Sequence, residues 1–241
     1  MQEPRFYRHW IKDNDLVSYE VAVKQTNLYI RSRRNLRNKV LNSVVKHRGS
    51  LEAYVEHHPL FLTTLDSYQA EAEAPAIVKE MARVSQLTGV GPMAAVAGAI
   101  AEAVGRDLLA FSPETIVENG GDIFLKTSKK RLVGIYAGRS PFTERIALEI
   151  MPGETPMGIG TSSATLGHSL SLGMADAIVV LSPSTALADA AATALGNIVK
   201  TADDISEAIE KARSIETLSG VVIILGDEMG VWGSVRVVPI R

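Results

Sequence analysis

Glu118-Asn119-Gly120-Gly121-Asp122-Ile123 and Ala188-Asp189-Ala190-Ala191-Ala192-Thr193-Ala194 are the two stretches that decide how this chain folds. The first is typical of two strands joined by a double-glycine turn, which lets a bulky ligand approach the backbone beside Asp122. The second is typical of a helix, on which residues four apart share a face. Asp189 and Thr193 can therefore both point at one cation that prefers oxygen ligands. Together the two stretches predict a hard-metal site next to a phosphate-bearing molecule.

The carboxylate of Asp189 also has a structural explanation that needs no metal. Ser184 suits the N-cap position, so Asp189 would fall in the second turn of an alanine-rich core helix and complement the helix dipole. A buried carboxylate needs a partner, however, and Mg²⁺ takes few protein ligands while it keeps waters or phosphate oxygens. The residues by themselves leave both explanations open.

Outward from these stretches, the chain has helices early and strands late. Alternation over 16–32 predicts a hairpin that turns at Thr26-Asn27, and an apolar stripe predicts a helix over 33–48 that stops at Gly49. Further helices are predicted over 50–58, 75–88, 93–109, 185–199 and 203–214. Further strands are predicted over 115–118, 122–126, 131–137, 144–151, 157–161, 175–181, 220–225 and 234–240. This order predicts an α+β fold around a largely antiparallel sheet. We expect a single domain over 1–241, with a subdomain seam near Pro113 rather than a domain boundary.

Composition narrows the functional classes. A net charge of −2 gives no general attraction to nucleic acid or anionic membrane, and the basic run at 31–39 has no aromatic residue on which bases could stack. The absence of cysteine excludes disulfides, thiol nucleophiles and cysteine-ligated clusters. The first 20 residues lack the apolar core of a signal peptide, and the apolar stretch 92–101 is too short to span a bilayer. We therefore expect a cytoplasmic protein that binds neither nucleic acid nor membrane.

A hydroxyl-rich loop supplies further candidate site residues. Thr161-Ser162-Ser163 could hold phosphate through its amides and hydroxyls, although a polar turn explains the loop better when it is taken by itself. His168 follows shortly after, and a lone histidine is more often structural than catalytic. No Gly-x-Ser-x-Gly elbow, P-loop or dinucleotide-binding fingerprint occurs in the chain.

The order and spacing of these motifs resemble the ApbE superfamily, which contains the FAD:protein FMN transferases. The resemblance rests on Gly-Gly-Asp-Ile at 120–123, Gly-x-x-Thr-Ser at 158–162 and Ala-Asp-Ala-x-Ala-Thr-Ala at 188–194. The last motif is fairly specific because six defined positions match in register. The resemblance covers 98–200 well and the rest of the chain loosely.

The resemblance implies a T-fold-like α+β architecture and a Mg²⁺ held partly by Asp189 and Thr193. In such enzymes the metal bridges the pyrophosphate of FAD. A Thr or Ser hydroxyl of a partner protein then attacks phosphorus, and AMP leaves.

The resemblance also implies where a flavin nucleotide, FAD or FMN, would bind. It places Gly120, Gly121 and Asp122 beside the nucleotide. The further cofactor-binding residues that it implies are Thr161, Ser162 and Asp107. It implies catalytic roles for Asp122 and for His168, which could move a proton at neutral pH.

Departures from the family pattern concern the flavin half of this site. The transferases carry a Gly-Ile-Ala-Lys-Gly-Tyr-like stretch whose Lys and Tyr help to bind FAD, and the best register places Glu102 and Val104 there. His168 is kept from a His-Ile-Ile-Asp-Pro stretch, but the Asp and Pro are absent, and Ser163 replaces a usual glycine. The sequence thus keeps the metal half of the site and diverges in the flavin half.

The run at 89–100, together with Glu118–Asp122, looks more like a separate branch of cytoplasmic proteins from anaerobic bacteria and methanogens. Some of these have been associated with homocysteine formation from aspartate semialdehyde and sulfide. We expect a Mg²⁺-dependent enzyme of the flavin- or nucleotidyl-transferase type that acts on a flavin nucleotide or a similar phosphorylated ligand, or on a partner protein. The alternatives are a non-catalytic accessory protein in sulfur assimilation or homocysteine biosynthesis, and a flavin-binding module without turnover. The small-residue helix at 93–104 could also pack on a second copy as a homodimer.

Overall fold

The computed structural model describes residues 15–164 and 173–240. The strands are β1 (Val17–Val23), β2 (Thr26–Ser32), β3 (Thr115–Asn119), β4 (Asp122–Lys126), β5 (Arg131–Gly134), β6 (Ile146–Ile150), β7 (Met157–Ser162), β8 (Ala177–Ser182), β9 (Gly220–Leu225), β10 (Glu228–Gly233) and β11 (Val237–Pro239). The helices are α1 (Arg37–His57), α2 (Pro59–Thr63), α3 (Ala76–Thr88), α4 (Val96–Leu109), α5 (Thr185–Ile198) and α6 (Ile205–Ser214).

Two antiparallel sheets and a layer of helices make up the fold. The large sheet has the order β1-β2-β3-β4-β7-β8-β9-β10, and the small one has the order β11-β6-β5. Side chains alternate across the large sheet, as the period of two requires. Val117 and Val180 pack with the helices, whereas Ile116 and Val179 pack with the small sheet. The expected α+β fold with a largely antiparallel sheet is confirmed.

Helix α3 shows how local sequence sets the ends of an element. It begins directly after Pro75, whose ring needs no amide partner, and it ends at Gly89, which adopts a left-handed φ of 75°. The amide of Gly89 donates a 2.8 Å hydrogen bond to the carbonyl of Ser85. The predicted helix over 75–88 is therefore confirmed.

The first hairpin and the first long helix differ from the prediction. Val23 pairs with Thr26, so the turn lies at Lys24-Gln25, two residues earlier than the predicted turn at Thr26-Asn27. Helix α1 does not stop at Gly49 but continues to His57, and so includes the helix predicted separately over 50–58. Glycine ends a helix only where the chain takes up a left-handed conformation, and Gly49 keeps helical backbone within α1.

The C-terminal strands also differ from the prediction. A single strand was expected over 234–240, but the structure has β10 and then the short strand β11. Residues of β10 alternate between exposed and half-buried, but Met229 and Val231 on its exposed face at the edge of the large sheet are apolar. The sequence therefore offered no clear period of two for it.

Both halves of the chain share the large sheet. Strand β2 pairs with β3, so the sheet continues across Pro113. Within the two described ranges, no single helix is long and apolar enough to cross a bilayer. Only α3 and the segment Pro92–Leu109 together pass that test of length and composition, across a bend of 109°.

Candidate functional site

Helix α5 carries Asp189 into the interior. Ser184 caps the helix, since its side chain accepts a 3.2 Å hydrogen bond from the amide of Leu187. The amide of Gly98, on α4, donates a 2.8 Å hydrogen bond to Oδ2 of Asp189. Burial raises the pKa of Asp189, and the backbone amides of Gly98 and Ala97 oppose that rise.

The double-glycine turn places Asp122 at the start of β4. Gly120 and Gly121 have φ values of 70° and 115°, which side chains rarely allow. The amide of Gly121 donates a 3.0 Å hydrogen bond to Oε1 of Glu118. The amide of Thr161, on β7, donates a 3.0 Å hydrogen bond to Oδ1 of Asp122. These hydrogen bonds connect the turn and Asp122 to β3 and to β7.

Close packing brings Asp122 and Asp189 together. Strand β7 lies between β4 and β8, and α5 packs directly on it. A Cβ at Gly160 would overlap the backbone of Ala188, so only glycine lets α5 approach this strand so closely. Burial raises the pKa of Asp122 well above its usual range, and the negative charge of Asp189 adds to that rise.

These two carboxylates have no counter-charge in the described ranges. Neither Asp122 nor Asp189 forms an ion pair there with a Lys, Arg or His side chain. Glu118 adds to the negative potential at Asp122. Buried like charges repel strongly, so the site favours either a bound proton or a cation.

The residues present fit a hard cation such as Mg²⁺. Thr193 lies one turn beyond Asp189 on α5 and is half-buried. Carboxylate, hydroxyl and backbone carbonyl oxygens are the ligands that Mg²⁺ takes, and it needs few from the protein because it retains water or phosphate oxygens. No group of three or more His, Cys, Asp or Glu side chains poised around a metal occurs in the described parts of the chain. The fit therefore depends on two carboxylates and one hydroxyl.

The hydroxyl-rich segment 161–163 lies at the same place, but Thr161 and Ser162 are the last residues of β7 rather than part of the predicted loop. Thr161 is half-buried on β7, and a Cβ at Gly121 would clash with its Oγ1. Ser162 is buried and pairs with Ile178 on β8. The structure thus brings Gly120, Gly121 and Thr161 beside Asp122.

Asp107 lies apart from this group. It follows Gly98 by nine residues on α4, which is about 13 Å along the helix axis. Its Oδ2 accepts a 2.8 Å hydrogen bond from Ser43 Oγ and lies 2.9 Å from Nε2 of His47, both on α1. The structure therefore does not bring Asp107 together with Asp122 and Asp189. His168, the other candidate, lies outside the described residues.

Glu102 occupies a position that the sequence had assigned to the flavin side of the site. Its Oε2 accepts a 2.7 Å hydrogen bond from the amide of Thr185, at the start of α5. Its Oε1 accepts a 2.6 Å hydrogen bond from Arg106. Val104, the other departure from the family pattern, is fully buried in the core. Glu102 therefore serves as a second cap of α5.

Two residues of the site were missed from the sequence. Gly98 was noted only for close packing, although its amide binds Asp189, and Glu118 was quoted only as part of a motif. The signal for Glu118 was its place three residues before Gly121, near enough along the chain for its carboxylate to accept from the turn amide. Nothing local indicated the contact of Gly98 with Asp189, because 91 residues separate them.

Comparison of the sequence with known proteins finds relatives over most of the chain. A family model described as AbpE bacteria matches residues 8–230. A UPF0280 protein of Methanococcus aeolicus is 38% identical over 226 residues, which cover 91% of each chain. A UPF0280 protein of Methanothrix thermoacetophila is 45% identical over 202 residues, which cover 83% of this chain and 84% of that protein.

Solved structures of flavin transferases share the fold. The apo form of Pseudomonas stutzeri flavinyl transferase ApbE matches with a TM-score of 0.61 at 12% identity, over 90% of this chain and 94% of that one. Flavin transferase ApbE from Vibrio cholerae matches with a TM-score of 0.54 at 14% identity, over 91% of this chain and 97% of that one. At such identities the likeness concerns the fold.

Proposed function

Because this chain belongs to the AbpE bacterial family, within the ApbE superfamily, we propose that it is a Mg²⁺-dependent enzyme acting on a flavin nucleotide or a similar phosphorylated ligand. The observation that carries the proposal is the pair of buried carboxylates, Asp122 and Asp189, whose pKa values are both raised. Such a pair costs folding free energy unless a cation or proton neutralises it. We also propose, from the sequence, that the protein works in the cytoplasm.

The residues of the site would have separate roles in binding the metal and the ligand. Asp189 and Thr193 would hold Mg²⁺, which when bound would neutralise charge on phosphate oxygens. Asp122 adds negative charge that favours the cation. Gly120 leaves the backbone open on the turn, where a bulky ligand can approach, because no atom lies within 4 Å of a Cβ added there. We propose, from the sequence alone, that His168 moves a proton.

Titration calorimetry with Mg²⁺ and Mn²⁺ tests whether Asp189 holds a metal ion. Asp189→Asn keeps the shape of the side chain but removes the charge, so we expect Mg²⁺ and Mn²⁺ affinity to fall by about tenfold or more. Asp203→Asn, at an exposed carboxylate, is the matched control and should leave the affinity unchanged. Circular dichroism should show both variants folded. Equal metal affinity in wild type and Asp189→Asn would contradict the proposal.

The ligand is tested by native mass spectrometry of the purified protein. We expect retained FMN or another phosphorylated molecule rather than FAD, lost together with the metal after chelation. A ligand without phosphate would contradict the proposed substrate class.

A second candidate is a non-catalytic accessory protein in sulfur assimilation or homocysteine biosynthesis, or a flavin-binding module without turnover. The capping role of Glu102 and the buried Val104 support the accessory protein, since neither side chain offers the cation or ring with which the transferases hold FAD. Without cysteine, the chain would have to assist a partner that carries sulfur. A transfer assay with FAD, Mg²⁺ and a Ser- or Thr-bearing acceptor peptide separates the two, because only the enzyme releases AMP.

A further inference from the structure

A cavity of about 360 Å³ lies between α1 and the C-terminal end of α4, away from the paired carboxylates. Its lining consists of three exposed polar residues of α1, a buried serine, and residues at the end of α4: Lys39, Asn42, Lys46, Ser43, Asp107, Leu108 and Phe111. Sites for small molecules start at about this volume and combine an apolar floor with a few polar groups. The cavity therefore has the size of a small-molecule site.

The polar side of the cavity is positively charged. Lys39, Asn42 and Lys46 follow one another at intervals of three and four residues, so they share one face of α1. The one acidic residue in the lining, Asp107, already binds Ser43 and contacts His47. The lining thus carries two ammonium groups against one carboxylate, which also pairs with Lys46, and the remaining excess of positive charge favours an anion.

The lysines are partly held in place before any ligand arrives. Nζ of Lys39 lies 4.7 Å from the centroid of the Phe111 ring, and Nζ of Lys46 lies 3.7 Å from Oδ2 of Asp107. The backbone of Phe111 is held in turn by Arg34, which donates a 2.9 Å hydrogen bond to its carbonyl. Ordering of these side chains lowers the entropy that a ligand must remove.

The apolar side of the cavity suits the organic part of a ligand. Phe111 is 38% exposed and supplies the accessible apolar surface, whereas Leu108 is buried. A bare inorganic anion would leave this surface in contact with water, whereas an organic group would cover it.

We propose that this cavity binds a small phosphate monoester, or a comparable organic anion of mononucleotide size. Its charged group lies between Lys39 and Lys46, beside Asn42, and its organic group lies on Leu108 and Phe111. The site does not depend on the function proposed above, because it shares no residue with the paired carboxylates.

Calorimetry on the full chain with a chelator present tests the site. The probes are adenosine monophosphate, glycerol phosphate, inorganic phosphate and adenosine. We expect adenosine monophosphate to bind with a dissociation constant of about 1 mM or tighter, glycerol phosphate and inorganic phosphate to bind more weakly, and adenosine to bind least. Equal binding of adenosine and its monophosphate, or no binding of any probe, would overturn the proposal.

Two variants locate the binding. Lys39→Met and Lys46→Met keep the length of the side chain and remove the charge, so each should weaken adenosine monophosphate binding by roughly tenfold or more. Lys211→Met, an exposed lysine on α6, should change nothing. Asp189→Asn should bind the probe as wild type does, which separates this site from the proposed metal site. Unchanged affinity in both Lys39→Met and Lys46→Met would place the probe elsewhere and reject the assignment.

Discussion

The amide of Gly98 donates a 2.8 Å hydrogen bond to the carboxylate of Asp189. The two residues lie on α4 and α5, and a Cβ at Gly98 would meet the side chain of Asp189 at 2.8 Å and overlap the carbonyl of Thr185. The small-residue face of α4 at Gly98 is therefore filled by α5 of the same chain. The atoms that pack against Gly98 therefore belong to the protein core and not to a ligand.

Gly98→Ala should destabilise the protein. The added methyl group must push α5 away, which costs about 1–3 kcal/mol for overpacking. Gly49→Ala is the matched control, since no atom lies within 4 Å of the added methyl group. It should stabilise α1 by about 0.5–1 kcal/mol, because alanine favours the helix more than glycine does. Urea unfolding measures both, and equal midpoints for the two variants would contradict the packing described here.

The two glycines of the turn should respond differently to substitution. Gly120 has a φ of 70° and no atom within 4 Å of an added Cβ, so Gly120→Asn, which tolerates this backbone, should cost little. Gly121 has a φ of 115° and faces Oγ1 of Thr161, so Gly121→Ala should cost about 1–3 kcal/mol. Thermal unfolding of the two variants compares them directly. A larger loss for Gly120→Asn than for Gly121→Ala would contradict the geometry of this turn.

The paired carboxylates should make the metal-free protein less stable as pH rises. The pKa of Asp122 and that of Asp189 are raised in the folded state, so the folded chain keeps a proton that the unfolded chain has lost above about pH 4. Their contribution to stability is thus present below the unfolded pKa and is lost as pH rises through the folded pKa. The slope reaches about −1.4 kcal/mol per pH unit for each group.

Urea unfolding between about pH 5 and pH 8, with a chelator present, measures this slope. Other groups titrate as well, so the informative quantity is the difference between wild type and Asp122→Asn. The variant should show the shallower decline, and saturating Mg²⁺ should flatten the decline of the wild type. Parallel curves for the two proteins would show that the pair does not titrate in this range.

FAD should bind weakly, with a dissociation constant above about 10 μM. Helix N-termini bind phosphate through free backbone amides, but at α5 Glu102 already accepts from the amide of Thr185 and brings a negative charge. Equilibrium dialysis with Mg²⁺ present measures the affinity. A purified protein that is yellow and holds stoichiometric FAD would contradict this prediction and favour the transferase activity.

The order of elements and several site features could be read from the sequence because they depend on neighbours along the chain. The period of two predicted most strands of the large sheet, and glycine with proline bounded α3. The shared face of Asp189 and Thr193 follows from helix geometry alone. The Gly120-Gly121 turn follows from backbone freedom. Predictions went wrong where a local signal was ambiguous, as at Gly49, which lies inside α1.

Only the tertiary structure decided what lies opposite each of these residues. In the folded chain Asp122 lies beside Asp189, and Glu102 accepts a hydrogen bond from the first residue of α5. Asp107 binds Ser43 on α1 and does not contact the paired carboxylates. These contacts join residues far apart in sequence, such as Gly98 and Asp189, which are 91 positions apart. Periodicity and turn chemistry act over a few residues, whereas such contacts arise from the joint packing of helices and sheet, which no single segment encodes.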